Sequence, residues 1–165
     1  MHAKDAITGT YDMGERVVGR YLDDLSDADL LVRPVAGQNH IAWQLGHLIL
    51  TERNMLEGVK PGSSPALPAG FEEAYGRDDG STKSDDPGRF LGKDRYVQLM
   101  KAQRDATRSV LAGLSDAELD APGPERFRAM APTAGAVMLL AGTHFLMHVG
   151  QFVGVRRTLK KPVAI

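Results

Sequence analysis

His144 and His148 stand four residues apart in the apolar stretch 139–148. On an α-helix four residues advance about 400° and rise about 6 Å, so the two imidazoles project from one face, one turn apart. That placement suits bidentate capture of a transition metal. A third histidine, His47, lies in a second apolar stretch, 41–50. Three histidines that leave a coordination position to water form the donor set of catalytic rather than structural metal sites. The same residues also read as hydrogen-bonded core histidines. Burying two neutral imidazoles is then costly unless every ring nitrogen is satisfied. Which reading holds depends on whether the fold brings the two stretches together.

The neighbouring residues repeat the pattern. His40, Gln44, His47, Thr51 and Asn54 share one stripe at three- and four-residue steps, and His144, His148 and Gln151 share another. Inward-facing polar residues are expensive unless they line a site. Gln151, one turn beyond His148, is a candidate support for the ligands or a contact to substrate. His40 is two turns, about 10 Å, from His47, too far to share an ion, and reads as a helix-start or cavity-rim residue. His2 reads as part of a disordered terminus. Glu52 could be a fourth ligand or a general base. It lies about 140° from His47 around a helix, so a solvated charge is expected. Phe71 and Tyr75 fit either a lid or ordinary packing. No phosphate loop, dinucleotide fingerprint or nucleophile elbow is present.

Four helical segments must position these residues. The first spans about 5–24, with Val17, Val18, Tyr21, Leu22 and Leu25 at helical spacing. The second follows Asn39, a good N-cap, and runs to about Glu57. The third spans about 88–113, with Val97, Met100, Thr107, Val110, Leu111 and Leu114 toward the core. The fourth starts near Thr133 and ends near Leu159, before Pro162. No alternating β-branched run appears, so the expectation is an all-α fold: one four-helix bundle domain over the whole chain, 1–165. The 58–87 connection between the second and third helices contains Pro61-Gly62-Ser63-Ser64-Pro65, the acidic Asp78-Asp79-Gly80 and Asp85-Asp86-Pro87. A connection this long can cross the bundle's length, so the helices it joins can run parallel. An internal echo accompanies it. Leu25-Ser26-Asp27-Ala28-Asp29-Leu30 and Leu114-Ser115-Asp116-Ala117-Glu118-Leu119 each place Ser at an N-cap with an acid three residues on. Each is followed by proline and then by a histidine-bearing helix. The echo fits an ancient duplication and equally a common helix-start composition.

Composition narrows the function classes. The chain has 165 residues, 20 Lys+Arg, 21 Asp+Glu and a formal net charge of -1. That balance carries no electrostatic footprint for nucleic acid or an anionic membrane. Arg156-Arg157 and Lys160-Lys161 read as complements to a helix C-terminus. There is no cysteine, so disulfides and thiolate ligands are excluded, and a metal must be held by His, Asp, Glu or water. No secretory h-region opens the chain, and the longest apolar stretches are interrupted by His, Gln and Gly. The expectation is a soluble cytoplasmic protein with no membrane partner.

The segment Asn39-His40-Ile41-Ala42-Trp43-Gln44-Leu45-Gly46-His47-Leu48, together with His144 and His148-Val149-Gly150-Gln151, resembles the DinB/YfiT-like family of metalloenzymes. The 25–30 turn, the Phe71–Arg77 piece of the crossover and Arg156-Arg157 fit the same pattern, so the resemblance covers essentially the whole chain. It implies a four-helix bundle with a crossover between the second and third helices. It also implies a divalent metal, usually zinc or nickel, on His47, His144 and His148. Beside these, Gln44, Thr51, Trp43 and Gln151 are candidate supports for the ligands or contacts to substrate. Homodimers are common in the family, and characterised relatives use a low-molecular-weight thiol in transferase or isomerase reactions on small molecules. One position departs: Val149 stands where the family often has a basic residue. The resemblance therefore implies a metal-dependent thiol transferase, isomerase or hydrolase. The alternatives are a non-catalytic metal- or ligand-binding stress-response protein and a bundle with a vestigial site.

Overall fold

The protein is described by a computed structural model, which covers residues 2–76 and 84–164. Asp78, Asp79, Gly80 and the end of the Phe71–Arg77 piece lie outside the described residues. Among the described residues six α-helices follow one another: α1 (Ala3–Leu22), α2 (Ile41–Val59), α3 (Phe71–Tyr75), α4 (Lys93–Gly113), α5 (Asp116–Asp120) and α6 (Ala134–Thr158). Among the described residues the only extended pairing is an isolated bridge, Pro122 with Thr133. The fold is all-α, as expected, with α1, α2, α4 and α6 as the four long helices.

Local chemistry sets the helix ends. His2, expected in a disordered terminus, instead precedes α1, and its backbone N–H donates to Asp5 Oδ2 at 3.0 Å. The N-cap of α2 is His40 rather than Asn39. Its Nδ1 accepts from the Trp43 N–H at 3.1 Å, while Nε2 lies 3.0 Å from the Ser84 carbonyl. That second partner returns the crossover to the start of α2. Helix α4 begins five residues later than expected. Pro87–Arg89 forms a separate 3-10 turn, and the Lys93 N–H is received by Asp27 Oδ1 at 2.7 Å. A cap supplied by the turn after α1 is invisible to local periodicity. Helix α6 starts where expected, and Thr133 caps it, accepting from the Ala136 N–H at 3.1 Å.

Helix directions follow from contacts at both ends of each pair. Tyr11 Oη donates to the Met138 carbonyl and Arg156 to the Tyr21 carbonyl, so α1 and α6 run parallel. The first half of α2 shares a core cluster with Tyr96, Leu99 and Met100, and Met55 and Leu56 share another with Leu111. Helices α2 and α4 therefore also run parallel, as the long crossover allows. Exchanging α1 with α4 and α2 with α6 maps one parallel pair onto the other. The two echo turns match in detail. Ser26 and Asp29 exchange bonds of 2.9 and 3.2 Å, and Ser115 and Glu118 exchange bonds of 2.7 and 3.3 Å.

Three further expectations need correction. Val97 is 46% exposed rather than turned to the core, because α4 buries Tyr96, Gln103 and Arg104 instead. Arg156 is more than a complement to the helix dipole: it is buried and forks onto both oxygens of Asp24 at 2.6 and 3.1 Å. Helix α6, despite its His, Gly and Gln, is long and apolar enough by length and composition to cross a membrane. Its place in the fold accounts for that composition, since it packs on α1, α2 and α5.

Candidate metal centre

Antiparallel packing of α2 on α6 brings the three histidines together. Ring centroids of His47 lie 5.4 Å from His144 and 5.1 Å from His148, and the latter two are 4.7 Å apart. One nitrogen from each can be chosen so that all three lie within 4.8 Å of one another. Two nitrogens at a zinc–nitrogen distance of about 2.0–2.1 Å cannot be more than about 4.2 Å apart. At the outer end of the observed spread, small side-chain rotations must draw the rings inward. The donor set itself suits a borderline divalent ion: three neutral imidazoles and no thiolate. His148 is buried, whereas His47 and His144 are partly exposed, so access is from their side.

Gln44 and Trp43 hold the arrangement. Gln44 is 1% exposed; its Nε2 donates to the Asn39 carbonyl at 2.9 Å, which turns Oε1 toward His148 Nδ1 at 3.0 Å. A carbonyl oxygen can only accept, so Nδ1 carries the proton and the imidazole lone pair is on Nε2. The Trp43 ring stacks on His47 with centroids 4.9 Å apart and planes 11° from parallel. Thr51 Oγ1 lies 3.5 Å from His47 Nε2. Of the supporting residues named from sequence, Gln44, Trp43 and Thr51 meet the histidines. Gln151 is exposed on α6 and is not part of the cavity beside them. Val149 is buried in the main core cluster, so a basic side chain there would enter hydrocarbon.

Glu52 departs furthest from expectation. It is not a solvated charge: it is 1% exposed and pairs at 3.1 Å with Arg104, itself 1% exposed. The Arg104 guanidinium sits between the Tyr11 and Phe145 rings, 4.4 and 4.6 Å from their centroids, and donates to the Ala141 carbonyl at 3.1 Å. Burial pushes the Glu52 carboxyl up to about 7, against the opposing pull of Arg104. The five-residue offset from His47 turns Glu52 to a side of α2 that faces the bundle core rather than solvent.

A cavity of about 310 Å³ opens beside His47 and His144. Phe71 and Tyr75 on α3 are both buried, and Tyr75 forms part of the cavity wall. Tyr75 lies against the backbone of Gly46, where any Cβ would collide with its ring. Tyr75 Oη is 2.6 Å from Tyr96 Oη, which anchors α3 to α4. The far wall comes from the loop between α5 and α6, through Arg126, Phe127 and Met130. Sequence reading missed these residues because loop positions carry no periodicity. The available signal was the Pro122-Gly123-Pro124 run, whose Pro124 seats on Gly58; a Cβ there would come within 2.6 Å.

A family model described as the DinB superfamily matches residues 10–152, a span that includes all three histidines. No curated protein and no solved structure gives a significant match.

Proposed function

We propose, for a chain that belongs to the DinB superfamily, that His47, His144 and His148 hold one divalent cation, zinc or nickel, used on a small-molecule substrate. The observation that carries this reading is the convergence of three imidazoles from two helices, with the His148 tautomer set by Gln44. When bound, such an ion supplies Lewis acidity and lowers the pKa of a coordinated water or thiol. The chain's own contribution is orientation. Gln44 holds His148, Trp43 holds His47, and the cavity beside them, open at Arg126, Met130 and Met147, admits a substrate. Within this reading the reaction is a thiol-dependent transfer or isomerisation, or a hydrolysis, carried out by a cytoplasmic homodimer with a low-molecular-weight thiol as co-substrate.

One observation favours a second reading. Among the described residues no Asp or Glu lines the cavity, and Glu52 is committed to Arg104. A site without a carboxylate base also fits a non-catalytic metal- or ligand-binding protein of a stress response. Metal analysis of untagged protein, followed by equilibrium dialysis with zinc and nickel, tests the shared premise. About one ion per chain, lost in His144→Ala, is expected; a stoichiometry far below one that the substitution leaves unchanged would sink it. A panel of thiols with an electrophile then separates the two readings, because only the enzyme turns over.

A further inference from the structure

The cavity beside the histidines has a composition that names a ligand class. Its apolar walls include Met55, Phe127, Met130, Leu140 and Met147. Its polar groups besides the histidines are Thr51 and Asn54, both on the histidine stripe of α2, and Arg126. Arg126 is the one charged side chain in the described lining. It is exposed, as are Met130 and Met147, so these three form a hydrated rim, while Met55 is buried and Phe127 and Leu140 are partly buried. The loop that carries it is ordered by its own bonds. The Gly123 N–H donates to the Pro132 carbonyl at 2.8 Å, the Ala134 N–H to Ala121 at 2.9 Å, and Arg128 to Gly123 at 3.1 Å. Pro124 seats this tied loop on Gly58 of α2. Arg126 is thus held over the cavity by a closed neck and a docked proline.

We infer that the cavity takes a small monoanion with an apolar body, its carboxylate or similar group at Arg126 and its other end toward His47 and His144. This deepens the metal-site reading and rests on it only for the role of the inner end. A volume of about 310 Å³ is at the low end of small-molecule pockets, which limits the body to a short chain or one ring. Methionine walls adapt to either shape. Arginine favours a planar anion through paired N–H donors, and a neutral analogue of the same size loses that interaction.

The test uses the full chain, metal-free and zinc-loaded, titrated with hexanoate, phenylacetate, hexan-1-ol and inorganic phosphate. Trp43, the single tryptophan, stacks on His47 and reports occupancy by its fluorescence. At least one of the two acids is expected to bind about tenfold tighter than the alcohol and the phosphate in both forms. Arg126→Ala should erase that margin without changing alcohol binding or the melting temperature. Equal binding of acid and alcohol, equal binding of phosphate, no binding of either acid at millimolar concentration, or no effect of Arg126→Ala would each overturn the inference. A carboxylate preference present only in the zinc-loaded protein would also overturn it, since the anion would then sit on the ion. If dialysis shows no metal but the metal-free protein still discriminates through Arg126, the metal reading fails and this one stands.

Discussion

Nδ1 of His148 on α6 lies 3.0 Å from Oε1 of Gln44 on α2, so one hydrogen bond joins the two histidine helices and chooses the His148 tautomer. Gln44→Leu keeps the volume and removes the acceptor. The acceptor that fixes the proton on Nδ1 is then lost. Metal affinity should fall about 10- to 100-fold, the usual cost of losing a partner that orients a ligand. Competition against a chromophoric chelator measures it, and unchanged affinity would show that the bond does not orient the ligand.

Metal should stabilise the fold by an amount that grows with the logarithm of its concentration above the dissociation constant. At a concentration about 100 times the dissociation constant, binding to the native state alone adds about 2.7 kcal/mol. Thermal melts with and without zinc should therefore separate in the native chain and coincide in His47→Ala. Nickel should also quench Trp43, whose ring stacks 4.9 Å from that of His47.

The Glu52–Arg104 pair should respond asymmetrically to substitution. Glu52→Ala leaves a guanidinium buried between two rings, and a loss of about 3–5 kcal/mol is expected. Replacing both residues by Leu or Met should be close to neutral, because the desolvation of both charges is removed together. Urea unfolding of the single and double variants decides the point.

The same carboxyl gives a pH dependence of known sign. Its folded pKa is raised to about 7 from the ordinary 4.5, so between these values the native state binds more protons than the unfolded state. The contribution of Glu52 to stability must therefore decline as pH rises from about 4.5 to 7, then level off. Asp24 acts in the opposite direction, since the Arg156 guanidinium holds its carboxyl below the ordinary value. Its contribution is present above the ordinary carboxylate range and is lost as pH falls through the lowered pKa. In Glu52→Gln the decline between pH 4.5 and 7 should flatten, while the loss at acid pH persists.

Gly46→Ala should disturb the cavity from behind. The new methyl group would collide with the ring of Tyr75, which is itself held by Tyr96. Overpacking of this kind costs about 1–3 kcal/mol, and displacement of Tyr75 should weaken ligand binding beside His47 as well. A melting temperature within a degree of the native value would count against that packing.

Much of this protein was determined by its sequence alone. Helical periodicity marked four long helices, Thr133 and the two Ser–acid turns marked their boundaries, and the length of the 58–87 connection permitted parallel α2 and α4. The i, i+4 spacing put His144 and His148 on one face, and the polar stripe through Gln44 and Thr51 put His47 on another. All of these are local properties, set by backbone geometry within a few residues. The tertiary structure decided what depends on which surfaces meet. It drew His47 to the pair across the α2–α6 interface and turned Gln44 from a stripe member into the partner of His148. It left Gln151 outside, enclosed Glu52 with Arg104, and brought Arg126 over the cavity from a loop about 80 residues away in sequence from His47. Periodicity gives the direction of a side chain from its own helix. It does not say whether that direction holds water, hydrocarbon or another histidine, because that is decided by long-range packing.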